Sequence, residues 1–336
     1  MHIHSSASDD GDRSIREIID LAALTHDTEK PVTLVAVTDH EEIDFEGLTT
    51  SMSYARKNYI DLVTGLEVSA EDSTFDFEKV HILNYFPYLK PNELRKTGVY
   101  EIMNDMKEEK RIRNDKYIRM LLSYGFLKQH EVEDVDFGRS KATLAQKLFE
   151  ILQKKGRFRF AGILYEITEI EQVWDILEDR MFRQDREKVS AETIIYETII
   201  AGGRPVIAHP LLMTSKHSRE CILGRAAQEY VKTRKVADTI LNYIRFLNYY
   251  HERFPELGLE IRYPYEKSRE YKKIISENRD AGEVLGRMVE GIEAFCRDNR
   301  IAISGGSDYH GSAKPDIEIG QEKIMFEDAT DMLNIT

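Results

Sequence analysis

Cysteine is scarce in this chain. Its 336 residues include two, Cys221 and Cys296. Two are too few for a disulfide framework, and no C-x-x-C pair offers a thiolate metal site. That usage fits a reducing compartment, so a cytoplasmic protein is expected. No run approaches the roughly 18 consecutive apolar residues of a membrane span. No basic segment followed by an apolar one opens the chain, so no secretory signal is expected. Positive charge is in deficit: 47 Lys and Arg face 60 Asp and Glu, a net charge of −13. Such a surface repels phosphate backbones, which argues against double-stranded DNA as a partner unless a local cationic patch or a metal cluster reverses the field. Internal repeats and low-complexity tracts are also missing. Apolar residues are not: at 41% they can build a substantial core. The length suits one large domain or a domain carrying an insertion.

What is present alternates in kind. "TLVAVTDH", "IDLVTGLEVSA", "KVHILNYF", "RPVIAHP" and "RIAISGGSDYH" are short β-branched runs, and "LGLEIRY" is a sixth. Each predicts a buried strand. Between them, "SIREIIDLAAL", "AETIIYETIIAGG" and "EVLGRMVEGIEAFCRDN" have apolar residues at helical spacing. Strands alternating with helices predict a parallel α/β arrangement. Residues 91–190 differ, being charged and mostly helical, and read as an insertion. "GVYEIMNDMKEEKRIRNDKYIRMLLSYGF" predicts one long helix and "SKATLAQKLFEILQKK" another. A further helical stretch spans 224–254, and the tail after Pro315 reads as a short cap.

The chemistry lies in where the histidines fall. Of ten, six sit at strand ends or inside a strand: His2, His4, His40, His81, His209 and His310. Asp9, Glu67 and Asp308 accompany them. Sites of parallel α/β proteins gather at the carboxyl ends of strands, where remote segments converge. The i, i+2 spacing of His2 with His4, and of Asp308 with His310, puts both side chains on one face of an extended segment. Imidazole and carboxylate suit zinc, manganese, iron or nickel without any thiolate. Nine ligands exceed the about four to six that one ion takes, and suffice for two or three. Each motif alone is weak: "AHP" can simply end a strand, and "GGSD" can be a turn with Gly305 and Gly306 at positive φ. Their joint placement is the signal. His26, His130, His217 and His251 read as surface residues, and Trp174 and "LNYYHERF" as packing.

The motifs together resemble the PHP family (polymerase and histidinol phosphatase). "HIHSSASD" is similar to its H-x-H-S-x-x-S-D opening. "VTDH", "TGLEVSAE", "VHILNYF", "PVIAHP" and "GGSDYHG" follow in the family's order, over most of the chain. The resemblance is strongest to stand-alone phosphoesterases with a helical insertion, which act on 3′,5′-nucleoside bisphosphates or trim short RNA from the 5′ end. It implies a distorted seven-stranded β/α (TIM-like) barrel formed by 1–90 and 191–336, with 91–190 as a helical lid. It also implies a trinuclear centre. His2 and His4 would bind a first metal with Glu67 and Asp308. Glu67 would bridge to a second held by His81 and His209, and Asp9, His40 and His310 would hold a third. Glu67, His209 and Asp308 would be the catalytic residues. Two or three divalent ions are expected, manganese first, with iron, zinc or magnesium as alternatives. Three departures stand out. Only Met1 precedes His2, where the family has an apolar first strand. Asp9 and Asp10 stand where one Asp is usual, and spacing favours Asp9. Lys141 replaces the His of the subgroup's "GRPH" segment.

This chemistry resolves the charge conflict. Three divalent ions outweigh three carboxylates, so a cationic site can exist in an acidic chain and take a small phosphorylated substrate, a nucleotide or short oligonucleotide. Bound metal activates water near neutral pH and offsets phosphoryl charge. For a second phosphate the insertion offers Arg113, Arg139 and Lys141, of which Arg139 lies just before a predicted helix. The alternatives are a phosphatase for a non-nucleotide monoester such as histidinol phosphate, and a nucleotide-sensing protein with a relic site. No ligand is lost, which disfavours the relic.

Overall fold

A computed structural model describes the chain except residues 1, 27, 29, 30, 139, 161, 162, 179–187, 217–219, 321, 323–332 and 334–336. His217 and most of the tail after Pro315 therefore lie outside the described residues. The chain divides into two compact units: Met1–Met103 with Lys188–Thr336, and Asn104–Glu187. Nine strands are described: β1 (Leu34–Val37), β2 (Asp61–Asp72), β3 (Phe77–Phe86), β4 (Arg157–Phe160), β5 (Ile163–Glu166), β6 (Arg204–Ile207), β7 (Thr214–Ser215), β8 (Gly258–Arg262) and β9 (Ile303–Gly305).

The first unit is α/β, built on a curled seven-stranded sheet ordered β1-β2-β3-β6-β8-β9, with β7 paired to β3. The all-parallel expectation needs correcting. β1 runs parallel to β2, and β6, β8 and β9 run parallel to one another, but β3 is antiparallel to β2 and β6. The reason is the link after β2. Residues 73–76 form a tight turn in which the Phe75 N–H donates to Asp72 Oδ1 (2.7 Å) and Asp76 takes a positive φ of 63°. A parallel connection needs a crossover of a dozen residues or so, and this link has no room for one.

As hydrogen-bonded strands the sheet is open, with β1 and β9 at its edges. Ile3 spans the gap with single parallel bridges, to Val37 at the end of β1 and to Tyr309 just past β9. The Thr38 N–H donates to Ile3 O (2.8 Å), the His4 N–H to Tyr309 O (2.9 Å), and the Asp308 N–H to His2 O (2.9 Å). Among the described residues Ile3 makes the strand-like bridges between these two edges.

Register brings the future site to one level. His40 bridges Glu67, Ser69 pairs with His81, and the Ala208 N–H donates to His81 O. Being antiparallel, β3 delivers His81 from its middle to the level the other strands reach at their carboxyl ends. Leu34, Ala36, Val63, Leu83, Tyr85 and Val206 form one apolar cluster from these strands. The flanking helices follow the patterns expected. Over Ile15–Ala23, Ser14 and Glu17 form a capping box, and Ile15, Ile18, Ile19 and Ala22 bury one stripe. Residues 224–254 are two helices, Ile222–Thr233 and Ala237–Arg253, divided where Arg234 turns left-handed (φ 57°).

In the second unit the rest of the long helix Gly98–Ser123, then Lys141–Lys155 and Ile170–Glu178, pack around Tyr117, Leu121, Leu144, Leu148 and Val173. The segment is not purely helical: β4 and β5 form an antiparallel hairpin. "RFRF" alternates with period two, the strand signature.

Candidate metal centre

The site begins with an alternation. Ile3 is buried in the sheet seam, so its neighbours His2 and His4 turn together to the opposite face, and both are fully buried. Asp39 fixes the next residue by accepting the Ser5 N–H (2.5 Å) and the Ser5 O–H (2.7 Å). Glu67 comes from β2 and His81 from β3. His209 and Asp308 follow β6 and β9 in left-handed backbone, φ 54° and 51°. That conformation is uncommon for non-glycine residues and concentrates at functional sites. Neither Gly305 nor Gly306 takes the positive φ that a mere turn at "GGSD" would use. Gly306 serves close approach instead: a Cβ there would lie 2.3 Å from the His2 Cβ and 2.4 Å from Glu260 Oε1.

Glu67 organises the rest. Its Oε2 lies 3.1 Å from His2 Nε2, 3.2 Å from His4 Nε2 and 3.2 Å from His40 Nδ1. Its Oε1 lies 2.5 Å from His81 Nδ1 and 3.3 Å from His209 Nε2. Asp308 Oδ1 lies 3.4 Å from His2 Nε2 and 3.3 Å from His4 Nε2, and those two nitrogens are 3.0 Å apart. Three convergent groups result: His2, His4, Glu67 and Asp308; Glu67, His81 and His209; and His4, Asp10, His40 and His310. Eight of the nine expected ligands meet in them.

The ninth is a correction. Asp9 is exposed, and Asp10 takes the place expected for it, with Oδ2 3.1 Å from His310 Nε2 and 3.5 Å from His40 Nε2. The chain turns tightly here, the Ser8 N–H donating to Ser5 O and the Ser8 O–H to Asp10 Oδ1 (2.6 Å). One residue of turn exchanges the two carboxylates. Asp10→Asn is expected to lower activity and metal content about 10- to 100-fold. Asp9→Asn should stay within about twofold. Metal analysis and turnover of the two variants check this.

The donor set fits divalent ions. Donors held about 2.1 Å from one ion in tetrahedral or octahedral array lie roughly 3.0–3.4 Å apart, the spacing found around His2 and His4. Hydrogen bonding alone does not explain two imidazole nitrogens facing each other and two carboxylates at once.

Three further residues carry no histidine company that would flag them in the sequence. Glu260, wholly buried in β8, lies 3.1 and 3.2 Å from His2 Nδ1. This pairing requires Nδ1–H on His2 and leaves Nε2 open as a ligand. A lone acid inside the apolar run "GLEIR" was its only signal. The Tyr263 O–H donates to Asp308 Oδ2 (2.8 Å), and Lys314 Nζ pairs with the same oxygen. Glu260→Gln is expected to weaken metal binding about tenfold or more, read by metal titration. Unchanged affinity would refute its role.

Electrostatics separates the imidazoles. Burial disfavours charge on His4, but Asp308 and Glu67 outweigh it and raise its pKa to about 9. Burial wins at His81, lowering its pKa to about 3 despite Glu67. Burial also opposes ionisation of Glu67 and Asp308. The imidazoles of His40, His81 and His2 around Glu67, and Lys314 and His2 beside Asp308, still hold both well below the usual carboxylate range. Burial also disfavours charge on His2, but Glu260, Asp308 and Glu67 raise its pKa well above the ordinary imidazole value, so metal must displace a proton from both His2 and His4. Affinity is expected to climb through pH 7 to about 9, by up to about tenfold per unit, where ordinary imidazoles level off near 6.5. Cobalt titration followed by absorbance would show it, and a flat profile above pH 7 would refute it.

The substrate-binding candidates lie in the other unit. Lys141 Nζ pairs with Glu178 and stands 5.7 Å from the ring centres of Tyr117 and Trp174. Arg113 donates to Asn114 Oδ1 (2.9 Å), and Arg139 lies outside the described residues. His130 is exposed, whereas His26 and His251 are half-buried. No helix among the described residues is long and apolar enough to cross a membrane.

No family model and no curated protein matches the sequence. Two solved structures are similar in fold. One, from Bifidobacterium adolescentis, is described as a metal-dependent phosphoesterase: TM-score 0.59, 14% identity, 98% of this chain and 93% of that one covered. The other is an amidohydrolase from Chromobacterium violaceum with bound sulfate and no metal: TM-score 0.55, 18% identity, 97% and 91% covered. The chain shares their fold.

Proposed function

We propose that this chain is a metal-dependent phosphoesterase of the PHP type, hydrolysing the phosphate esters of 3′,5′-nucleoside bisphosphates or trimming short RNA from its 5′ end. The division of the Glu67 carboxylate carries the reading: Oε2 faces one ligand group and Oε1 another. A carboxylate shared in this way suits two or three ions, manganese first, acting on one phosphoryl group. The fold common to this chain and the phosphoesterase supports the class. So does the sulfate of the second neighbour, an anion with the shape of phosphate.

Ions bound here would supply a nucleophilic water near neutral pH and offset the charge of the phosphoryl oxygens. The chain's residues hold and orient them. Glu67 and Asp308 are anionic at neutral pH. Glu260 fixes the tautomer of His2. Tyr263 and Lys314 occupy Oδ2 of Asp308, which directs Oδ1 to His2 and His4. His209, beside Glu67 at the cavity, completes the catalytic set with Glu67 and Asp308.

A substrate panel with manganese-loaded protein tests the proposal. Phosphate release from a 3′,5′-bisphosphate nucleotide, with none from histidinol phosphate, is expected. Cleavage of amides but no phosphate ester, or tight nucleotide binding without turnover in any metal, would overturn it.

A further inference from the structure

The ligand groups open into a cavity of 590 Å³. Such a volume holds a whole small molecule, far more than one phosphoryl group. Its outer wall departs from the charge balance of the chain. Five cations line it beyond the ligands: Lys79, Lys267, Arg269, Lys272 and Lys314. Lys314 is taken by Asp308, and Lys272 by Asp316 (3.4 Å). Lys79, Lys267 and Arg269 have no carboxylate partner among the described residues. Against them the wall sets one further acid, Glu270. In a chain with thirteen more acids than bases, three such cations on one cavity need an explanation.

Two of the three sit on a stiff support. Lys267 and Arg269 belong to the segment after β8 that begins at Tyr263. Tyr263, Pro264 and Tyr265 are buried there, and Pro264 restricts its backbone. The Tyr265 N–H donates to Tyr263 O (2.8 Å), and the Ser268 O–H donates to Tyr265 O (2.7 Å). Ser268 Oγ then accepts the Tyr271 N–H (3.1 Å), which starts the helix Arg269–Glu277. Both cations are therefore carried on backbone fixed before any ligand arrives, which lowers the ordering cost of binding. The same segment supplies Tyr263 to Asp308, so its position is tied to the ligand set. Lys79 stands on β3 two residues before His81, on the same strand face.

We propose that Lys267 and Arg269, with Lys79 on the wall of the same cavity, form a second anion subsite that binds a phosphate remote from the ester being cut. The assignment rests on the phosphoesterase reading and moves substrate selection from Arg113, Arg139 and Lys141 to the unit that holds the ligands. Arginine offers a planar fork to two phosphate oxygens, and lysine a point charge beside it.

The test compares adenosine 3′,5′-bisphosphate with adenosine 3′-monophosphate and adenosine 5′-monophosphate, each of which keeps one of the two esters and lacks the other anion, on manganese-loaded protein. In the K267A/R269A double variant, the preference for the bisphosphate in kcat/KM is expected to fall roughly 10- to 100-fold, carried by KM. The charge-conserving K267R/R269K variant should recover most of it. An unchanged preference, or a loss confined to kcat, would overturn the subsite. If the wild-type protein cleaves neither ester, the phosphoesterase reading fails separately. Calorimetric binding of adenosine 3′,5′-bisphosphate then decides: at least tenfold weaker binding by the double variant upholds the subsite, and equal binding removes it.

Discussion

Replacing Glu67 by glutamine is expected to reduce phosphate release by on the order of 10³-fold or more and to empty at least one metal position. The side chain is 1% exposed, so solvent cannot make up the lost charge. Its two oxygens serve two ligand groups, three imidazoles on one side and two on the other. Glutamine keeps one carbonyl oxygen and puts an NH₂ where the other stood, so one group loses its anion whichever way the amide turns. Metal analysis by mass spectrometry, beside steady-state turnover, separates a lost ion from a distorted fold. A variant with full metal and wild-type rate would refute Glu67 as the shared ligand.

Stripping the ions should produce the other large effect, on both activity and stability. Glu67, Asp308 and Glu260 are carboxylates buried in one place, together with fully buried His2 and His4. Without divalent charge, only imidazolium and Lys314 balance them. A ligand at about a thousand times its Kd contributes about 4 kcal/mol to stability. With an unfolding entropy of about 2.1 cal/mol/K per residue, in a chain of this size that corresponds to a melting temperature lowered by roughly 6 °C on chelation. The loss should grow with pH. His4 in the stripped protein has a pKa of about 9, above its ordinary 6.5. Its contribution is full below pH 6.5 and fades as pH rises through 9. Thermal melts with and without chelator at pH 7 and pH 9 check this, and identical melts would refute a metal-dependent core.

Legibility in the sequence followed local rules. His40, His81, His209 and His310 could be read because each stands where a β-branched run stops or inside one, and strand ends meet; His2 and His4 could be read from their i, i+2 spacing. Asp10 could not: a tight turn separates neighbours one residue apart, and spacing alone chose Asp9. Glu260 lacked any motif, since a single acid in an apolar strand gains meaning only once His2 is known to face it. The reversal of β3 was present in the shortness of residues 73–76, but a run such as "KVHILNYF" reads alike in either direction. The hairpin of β4 and β5 was masked by the charged helices around it. Lys267 and Arg269 line the cavity from the segment after β8, far in sequence from most ligands, so no linear pattern connects them to the ligands.

The bridging role of Ile3 has a kinetic corollary. The two edges it joins come from residues 34–37 and 303–309, so this seam unites sequence-remote partners. Contacts of that span form slowly, and late in the collapse of a chain. His2 and His4 flank the seam, so the ligand set cannot be complete until residues 303–309 have been made and have met Ile3. An amino-terminal segment left waiting that long is open to clipping by proteases, and a nick there would leave a largely folded but inert molecule.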